Sequence, residues 1–162
     1  MLGIPGQTVE KGLADFHGAG RRLEYKGSCN GADVYDDYAH HPNELEATIE
    51  AVRAMGYKRM ILAFQPHTYT RTQALFPEFI RELSRADVLA LAEIYAARER
   101  NTVGISSADL VRQIPGAVYC ETLPDVTAYL KRIAQPGDII LTMGAGDIFR
   151  AGEALLKDQE EG

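Results

Sequence analysis

Apolar residues recur along this chain with two alternating periods, and each change of period marks an element. From Pro42 onward Leu45, Ile49 and Val52 fall on one helical face, Glu44, Glu46 and Glu50 lie elsewhere, and Gly56 ends the pattern. Pro42 suits the first helical position, where no amide hydrogen is needed. Arg59–Phe64 reads as a strand whose apolar run Met60-Ile-Leu-Ala63 is of the kind buried on both faces of a parallel sheet. Leu75, Phe76, Phe79, Ile80 and Leu83 predict the next helix, with Pro77 implying a late start or a kink in its first turns. A strand over 87–92 follows, then a helix capped by Ser106 or Ser107 that ends near Pro115-Gly116. The remainder reads as a strand over 117–120, a helix over 124–133, the turn at 135–138, a strand over Asp138–Met143 and a helix over 148–156. In the 124–133 helix Val126, Leu130 and Ile133 point inward.

Before Pro42 the pattern differs. Segments 21–26 and 32–38 read as strands joined around Cys29-Asn30-Gly31, and the Asn-Gly pair suits a hairpin. Thr8 can cap a short helix through Phe16, with Val9, Leu13 and Phe16 on one face and the glycines at 18 and 20 stopping it. The opening residues carry Pro and Gly as a linker does, which hints at a fragment. Strands alternating with helices imply right-handed β-α-β crossovers. The fold class is therefore α/β, a mostly parallel six-stranded sheet with helices on both faces and an N-terminal antiparallel edge.

Composition narrows the partners. The chain of 162 residues, 46% of them apolar, fits one core. Seventeen basic against 23 acidic side chains give a net charge of −6 without any Lys/Arg run, so nucleic acid and anionic membranes are excluded as partners. No apolar run approaches the ~20 residues that span a bilayer, and no signal-peptide pattern opens the chain, so the expected location is cytoplasmic. Cys29 and Cys120 match no metal or redox spacing and read as reduced, packed thiols.

Two strand ends concentrate the polar chemistry. In Val34-Tyr-Asp-Asp-Tyr-Ala-His-His-Pro-Asn-Glu44, a strand carrying Asp36 and Asp37 runs into His40, His41 and the proline-started helix. Ligands of open α/β sheets sit where strands turn into helices, so an aspartate here can accept from ribose hydroxyls; it can equally cap the following turn. Strand alternation does not decide which carboxylate faces a ligand. Phe64-Gln-Pro-His-Thr-Tyr-Thr-Arg71 has the same design, and the Arg71 guanidinium can fork onto a carboxylate or phosphate, or pair with a helix glutamate. His40, His41 and His67 lack zinc-site spacing, so no metal site is expected. Thr142-Met-Gly-Ala-Gly-Asp147 is a poor dinucleotide fingerprint but a reasonable tight strand-to-helix turn, and no Gly-x-x-x-x-Gly-Lys-[Ser/Thr] loop occurs.

Taken together, Asp36-Asp-Tyr-Ala-His-His-Pro42, Phe64-Gln-Pro-His-Thr-Tyr-Thr-Arg-Thr72, Met143-Gly-Ala-Gly-Asp-Ile148 and Phe16-His-Gly-Ala-Gly-Arg-Arg-Leu-Glu24 resemble the C-terminal domain of the Mur ligase family of bacterial peptidoglycan synthesis, in its alanine-adding branch. The resemblance implies a Rossmann-like domain over residues 18–157, a linker and short helix of the preceding domain over 1–17, and a disordered tail over 158–162. It implies a three-domain enzyme of which this chain supplies the third, inactive alone. ATP and magnesium would be bound mainly by the missing central domain, and UDP-N-acetylmuramate and L-alanine would be joined through an acyl phosphate. By resemblance Arg22, Asp37 and His40 contact the nucleotide, whereas Tyr38, His67 and Arg71 face the amino acid. Many relatives carry a second arginine where Thr68 stands, which removes one anion contact here. A sister ligase that reattaches recycled peptide shares the first motif and differs in the second. The alternatives are a stand-alone nucleotide-binding or interaction module and a zinc enzyme.

Overall fold

The structure, a computed structural model, describes residues 21–157. The expected helix ending at Phe16 and the expected tail over 158–162 lie outside them. In chain order the elements are β1 (Glu24–Cys29), β2 (Ala32–Asp37), α1 (Pro42–Ala54), β3 (Arg59–Phe64), α2 (Tyr69–Ala74), α3 (Phe76–Leu83), β4 (Val88–Ala92), α4 (Ser107–Gln113), β5 (Val118–Cys120), α5 (Leu123–Ile133), β6 (Asp138–Met143) and α6 (Phe149–Lys157). The strands form one sheet in the order β1-β2-β6-β3-β4-β5, antiparallel between β1 and β2 and parallel elsewhere, as the periodicity implies.

Both faces of the sheet are covered, which is why its central strands are apolar without alternation. Leu45, Ile49 and Val52 of α1, Phe79 and Leu83 of α3 and Leu110 of α4 pack on Met60, Leu62, Phe64, Leu91, Ile139 and Leu141. On the opposite face Val126 and Leu130 of α5 and Ala151 and Leu155 of α6 pack on Val34, Ile61, Ala63, Ala90 and Ile140. Cys29 and Cys120 are buried in this second layer outside any disulfide, and burial pushes the Cys120 thiol up.

The hairpin forms where expected: Asn30 and Gly31 both take positive φ, 52° and 81°, which matches the twist of paired strands. A Cβ at Gly31 would stand 2.9 Å from Pro136 Cγ. The helix expected over 75–83 forms as α3, starting at Phe76, and a further short helix that the apolar pattern does not predict, α2, precedes it. Leu75, at φ −113° and ψ 25°, separates α2 from α3, and Pro77 falls in the first turn of α3. Helix α2 escapes a periodicity reading because Thr72 is its one buried residue.

Topology then assembles the site. Asp37, Met143 and Phe64 are register partners across β2, β6 and β3, and Leu91 of β4 pairs with Phe64. The chain leaves β2 for α1 on one face and leaves β6 for α6 on the other, so a crevice opens between their carboxyl ends. Residues 38–41, 65–71, 93–99 and 144–147 line that edge.

Candidate functional site

The two aspartates that end β2 are both engaged internally. Asp36, 2% exposed, accepts from Arg21 Nε at 2.7 Å and Thr142 Oγ1 at 2.8 Å. Asp37, 4% exposed, accepts from Leu23 N and Ala39 N, each at 2.7 Å. Both carboxylates thus hold the surrounding turns, and each Asp37 oxygen, with one bond accepted, keeps a further lone pair.

Arg21, not Arg22, is the arginine built into the fold. Its Nη2 donates to Gly144 O at 2.7 Å and its Nη1 to Gly146 O at 3.2 Å, and the guanidinium lies 5.1 Å from the Tyr38 ring centroid and 4.6 Å from that of Phe149. The fork thereby clasps the start of the hairpin to the β6–α6 turn. Arg22 is exposed and makes no ion pair among the described residues.

The β2–α1 turn presents His40 and turns His41 away. Nδ1 of His41 accepts from Asn43 N at 3.4 Å, and Glu44 accepts from the His41 and His40 amides at 3.1 and 3.0 Å, which caps α1. Burial alone would raise the Glu44 carboxyl; the amides of His40 and His41 outweigh it and hold the group below its ordinary range. His40 Nδ1 lies 3.0 Å from Tyr38 O. A carbonyl only accepts, so Nδ1 carries the proton and Nε2 of neutral His40 is left as an acceptor.

His67 has the opposite tautomer for an equally simple reason. Arg71 Nη1 stands 3.4 Å from His67 Nδ1, and because a guanidinium only donates, Nδ1 accepts and Nε2 carries the proton. The His67 ring lies between His40, at 5.8 Å, and Tyr95, stacked at 5.7 Å. Tyr95 in turn stands against Gly146, where an added Cβ would come 2.7 Å from its Cγ. Arg71 makes no salt bridge among the described residues, so its charge is available to a ligand anion. Tyr38, 40% exposed, packs edge-on to His40 at 5.4 Å. The crevice thus offers two N–H donors, from Arg71 and His67, opposite one acceptor, His40.

Burial first, then the charges of Arg71 and His40, depress the His67 imidazole below its ordinary value of 6.5. Its proton is therefore bound more readily by the unfolded chain, and the stability contribution of neutral His67 is lost as pH falls through and below 6.5. In an NMR titration His67 is expected to show a midpoint below 6.5, and Arg71→Ala is expected to move that midpoint upward. A midpoint that Arg71→Ala leaves in place would show that the guanidinium does not act on this ring.

No group of three or more His, Cys, Asp or Glu is placed to hold a metal ion among the described residues. The three histidines do not converge, since His41 is spent on capping, and Asp36 and Asp37 are taken by internal donors. Tyr95 and Arg21 were not singled out from the sequence; Tyr95 lies just past the β4 strand end, where the logic applied to β2 and β3 would have found it.

Residues 21–146 match the profile of the Mur ligase, glutamate ligase domain. The chain belongs to the Mur ligase family. It is 48% identical over 160 residues to a UDP-N-acetylmuramate–L-alanine ligase of Lachnospira eligens, an alignment that covers 96% of this chain and 35% of that protein. Among solved structures it resembles the UDP-N-acetylmuramate-alanine ligase of Thermotoga maritima, with TM-score 0.72 and 22% identity over 99% of this chain and 34% of that one. It also resembles a domain of a UDP-N-acetylmuramate:L-alanyl-gamma-D-glutamyl-meso-diaminopimelate ligase from Haemophilus ducreyi, with TM-score 0.62 and 27% identity over 85% of this chain and 98% of that one. The chain spans about a third of the length of the curated relatives it matches. This Mur ligase domain has no helix long and apolar enough to cross a membrane among its described residues.

Proposed function

We propose that this chain is the C-terminal domain of a cytoplasmic, ATP-dependent ligase that joins L-alanine to UDP-N-acetylmuramate, and that it closes over the nucleotide and the amino acid. The observation that carries the proposal is the donor–acceptor set of the crevice. An amino acid brings a carboxylate, which suits the Arg71 fork and the His67 Nε2–H, and an amine, which suits the His40 Nε2 acceptor. L-Alanine is the amino acid named by the relatives that align over nearly the whole chain. Tyr38 and Tyr95 wall the same crevice with aromatic surface. On the nucleotide side the contacting groups are Arg22, which is exposed, and Asp37, whose remaining lone pairs suit the ribose hydroxyls, with His40 close by.

In this scheme a muramoyl carboxylate oxygen takes the γ-phosphoryl group of ATP, releasing ADP. The amine of alanine then attacks the acyl carbon, the carbon–oxygen bond to phosphate breaks, and the amine gives up a proton, for which the His40 Nε2 lone pair is the local acceptor. Members of the family use ATP and metal ions. No group of three or more His, Cys, Asp or Glu among the described residues could hold a metal ion, and in this reading the preceding domains supply most of its ligands. Arg71, His67 and His40 act by holding the amine in line with the acyl carbon, and such positioning is worth up to ~7–11 kcal/mol of barrier in well-oriented reactions.

The test is phosphate release from Mg-ATP with UDP-N-acetylmuramate and L-alanine, comparing the chain alone with the chain joined to N-terminal and central ligase domains. Release is expected from the joined protein only, and only with all three substrates present. Release from neither would favour a binding module without catalysis.

A further inference from the structure

Helix α2, which carries Arg71, has no cap of its own. Thr68 occupies the cap position with φ 70° and ψ 143°, a backbone conformation that L residues rarely adopt, and its hydroxyl makes no capping bond. Six residues are too few for a helix to persist without outside support, and Thr72 is its one buried side chain. Packing into the core therefore does little to fix where α2 stands.

The support comes from the loop between β4 and α4. Glu99 accepts from Thr70 N at 3.0 Å and from Thr70 Oγ1 at 2.5 Å, so a carboxylate from a distant stretch of chain caps α2. The bonds from Thr70, helped by the nearby Arg71 charge, keep the Glu99 carboxyl below its ordinary range and hence ionised near neutral pH. The same loop is sewn to the segment before α2. Thr68 N donates to Tyr95 O and Tyr95 N to Pro66 O, both at 2.9 Å, beside the parallel bridge between His67 and Tyr95. Tyr95 thus sets the His67 ring by stacking, and Glu99 sets the turn of helix from which Arg71 projects.

We propose that Glu99 is a positioning residue for amino-acid binding: it caps α2 from the β4–α4 loop and so holds the Arg71 guanidinium beside His67, where both meet the amino-acid carboxylate. The inference rests on the amino-acid subsite proposed above. Glu99 reaches the substrate through Arg71 and does not itself touch it.

The experiment uses the full-length ligase carrying this domain. Glu99→Ala is expected to raise KM for the amino acid about tenfold, with KM for ATP and for the UDP-sugar and kcat at saturating amino acid nearly unchanged. Glu99→Gln keeps a neutral acceptor and is expected to fall between wild type and alanine. In an Arg71→Ala background Glu99→Ala is expected to add nothing, since the two changes remove one interaction. Amide hydrogen exchange across residues 68–75 should quicken in Glu99→Ala, which shows directly that the cap is lost. Faster exchange with an unchanged amino-acid KM overturns the proposal, as does an equal loss for all three substrates. Wild-type enzyme that rejects L-alanine and accepts another amino acid would refute the alanine reading alone, and the Glu99 prediction would then be read on the accepted amino acid. Wild-type enzyme that accepts no amino acid refutes both.

Discussion

In a full-length ligase carrying this domain, Arg71→Ala raises the KM for L-alanine at least about tenfold, equivalent to ~1.4 kcal/mol or more, and leaves ATP affinity nearly unchanged. The expectation follows from geometry. Arg71 makes no salt bridge among the described residues and directs one guanidinium nitrogen toward His67 Nδ1, leaving the rest of its fork for a ligand. Charge-assisted bonds to a carboxylate contribute roughly 1.5–3 kcal/mol each, so losing the fork outweighs any relief from removing a cation beside a histidine. Arg71→Lys keeps the charge without the fork and should recover only part of the affinity. Steady-state kinetics with each substrate varied in turn decides it: unchanged alanine kinetics would remove Arg71 from the site.

The second large effect is on stability. Arg21→Ala is expected to cost about 3 kcal/mol, at the low end for breaking a buried ion pair, because it strands the carboxylate of Asp36. Side-chain exposures of 23% for Arg21 and 3% for Asp36 put this pair among the partly buried ones, where solvent screens less than at the surface. After the substitution Asp36 would keep only Thr142 as a partner, and the carbonyls of Gly144 and Gly146 would lose their donor. Urea denaturation of the chain measures the loss. A change below about 1 kcal/mol, the size seen for exposed pairs, would mean that the clasp is not structural. Arg22→Ala provides the contrast, since Arg22 is exposed and should leave stability nearly unaltered.

The neighbouring arginines show how far sequence carries and where it stops. An Arg-Arg pair at the start of a hairpin marks a place where a guanidinium is needed, but adjacent residues differ in direction by a backbone twist that spacing cannot reveal. Arg21 takes φ 62° and folds inward onto Asp36, leaving Arg22 outside. The aspartates that follow are similar. Their position at a strand end was legible; that both accept from internal donors was not, because Leu23 and Thr142 are far from them along the chain or reach them from another strand. Histidines 40, 41 and 67 differ, since the partners that set their tautomers, Tyr38 O, Asn43 N and Arg71, lie within four residues, and it is the folded turn that decides which ring nitrogen meets them.

What the sequence by itself determined is the alternation of strands and helices, the parallel sheet with its hairpin edge, the two covered faces and the strand ends where a ligand would lie. These follow from periodicity, Pro42, Asn30-Gly31 and the unbroken apolar runs, all of which act over a few residues. Its motifs also carried the family. Only the tertiary structure decided the order β1-β2-β6-β3-β4-β5, which inserts the last strand between the second and third and brings Gly144–Gly146 against Arg21 and Tyr95. It alone added α2 ahead of α3 and supplied the cap of α2 from Glu99. The physical reason is range: hydrogen bonds and ring contacts between residues distant in sequence leave no period behind, and they exist only once the sheet has set its strand ends side by side.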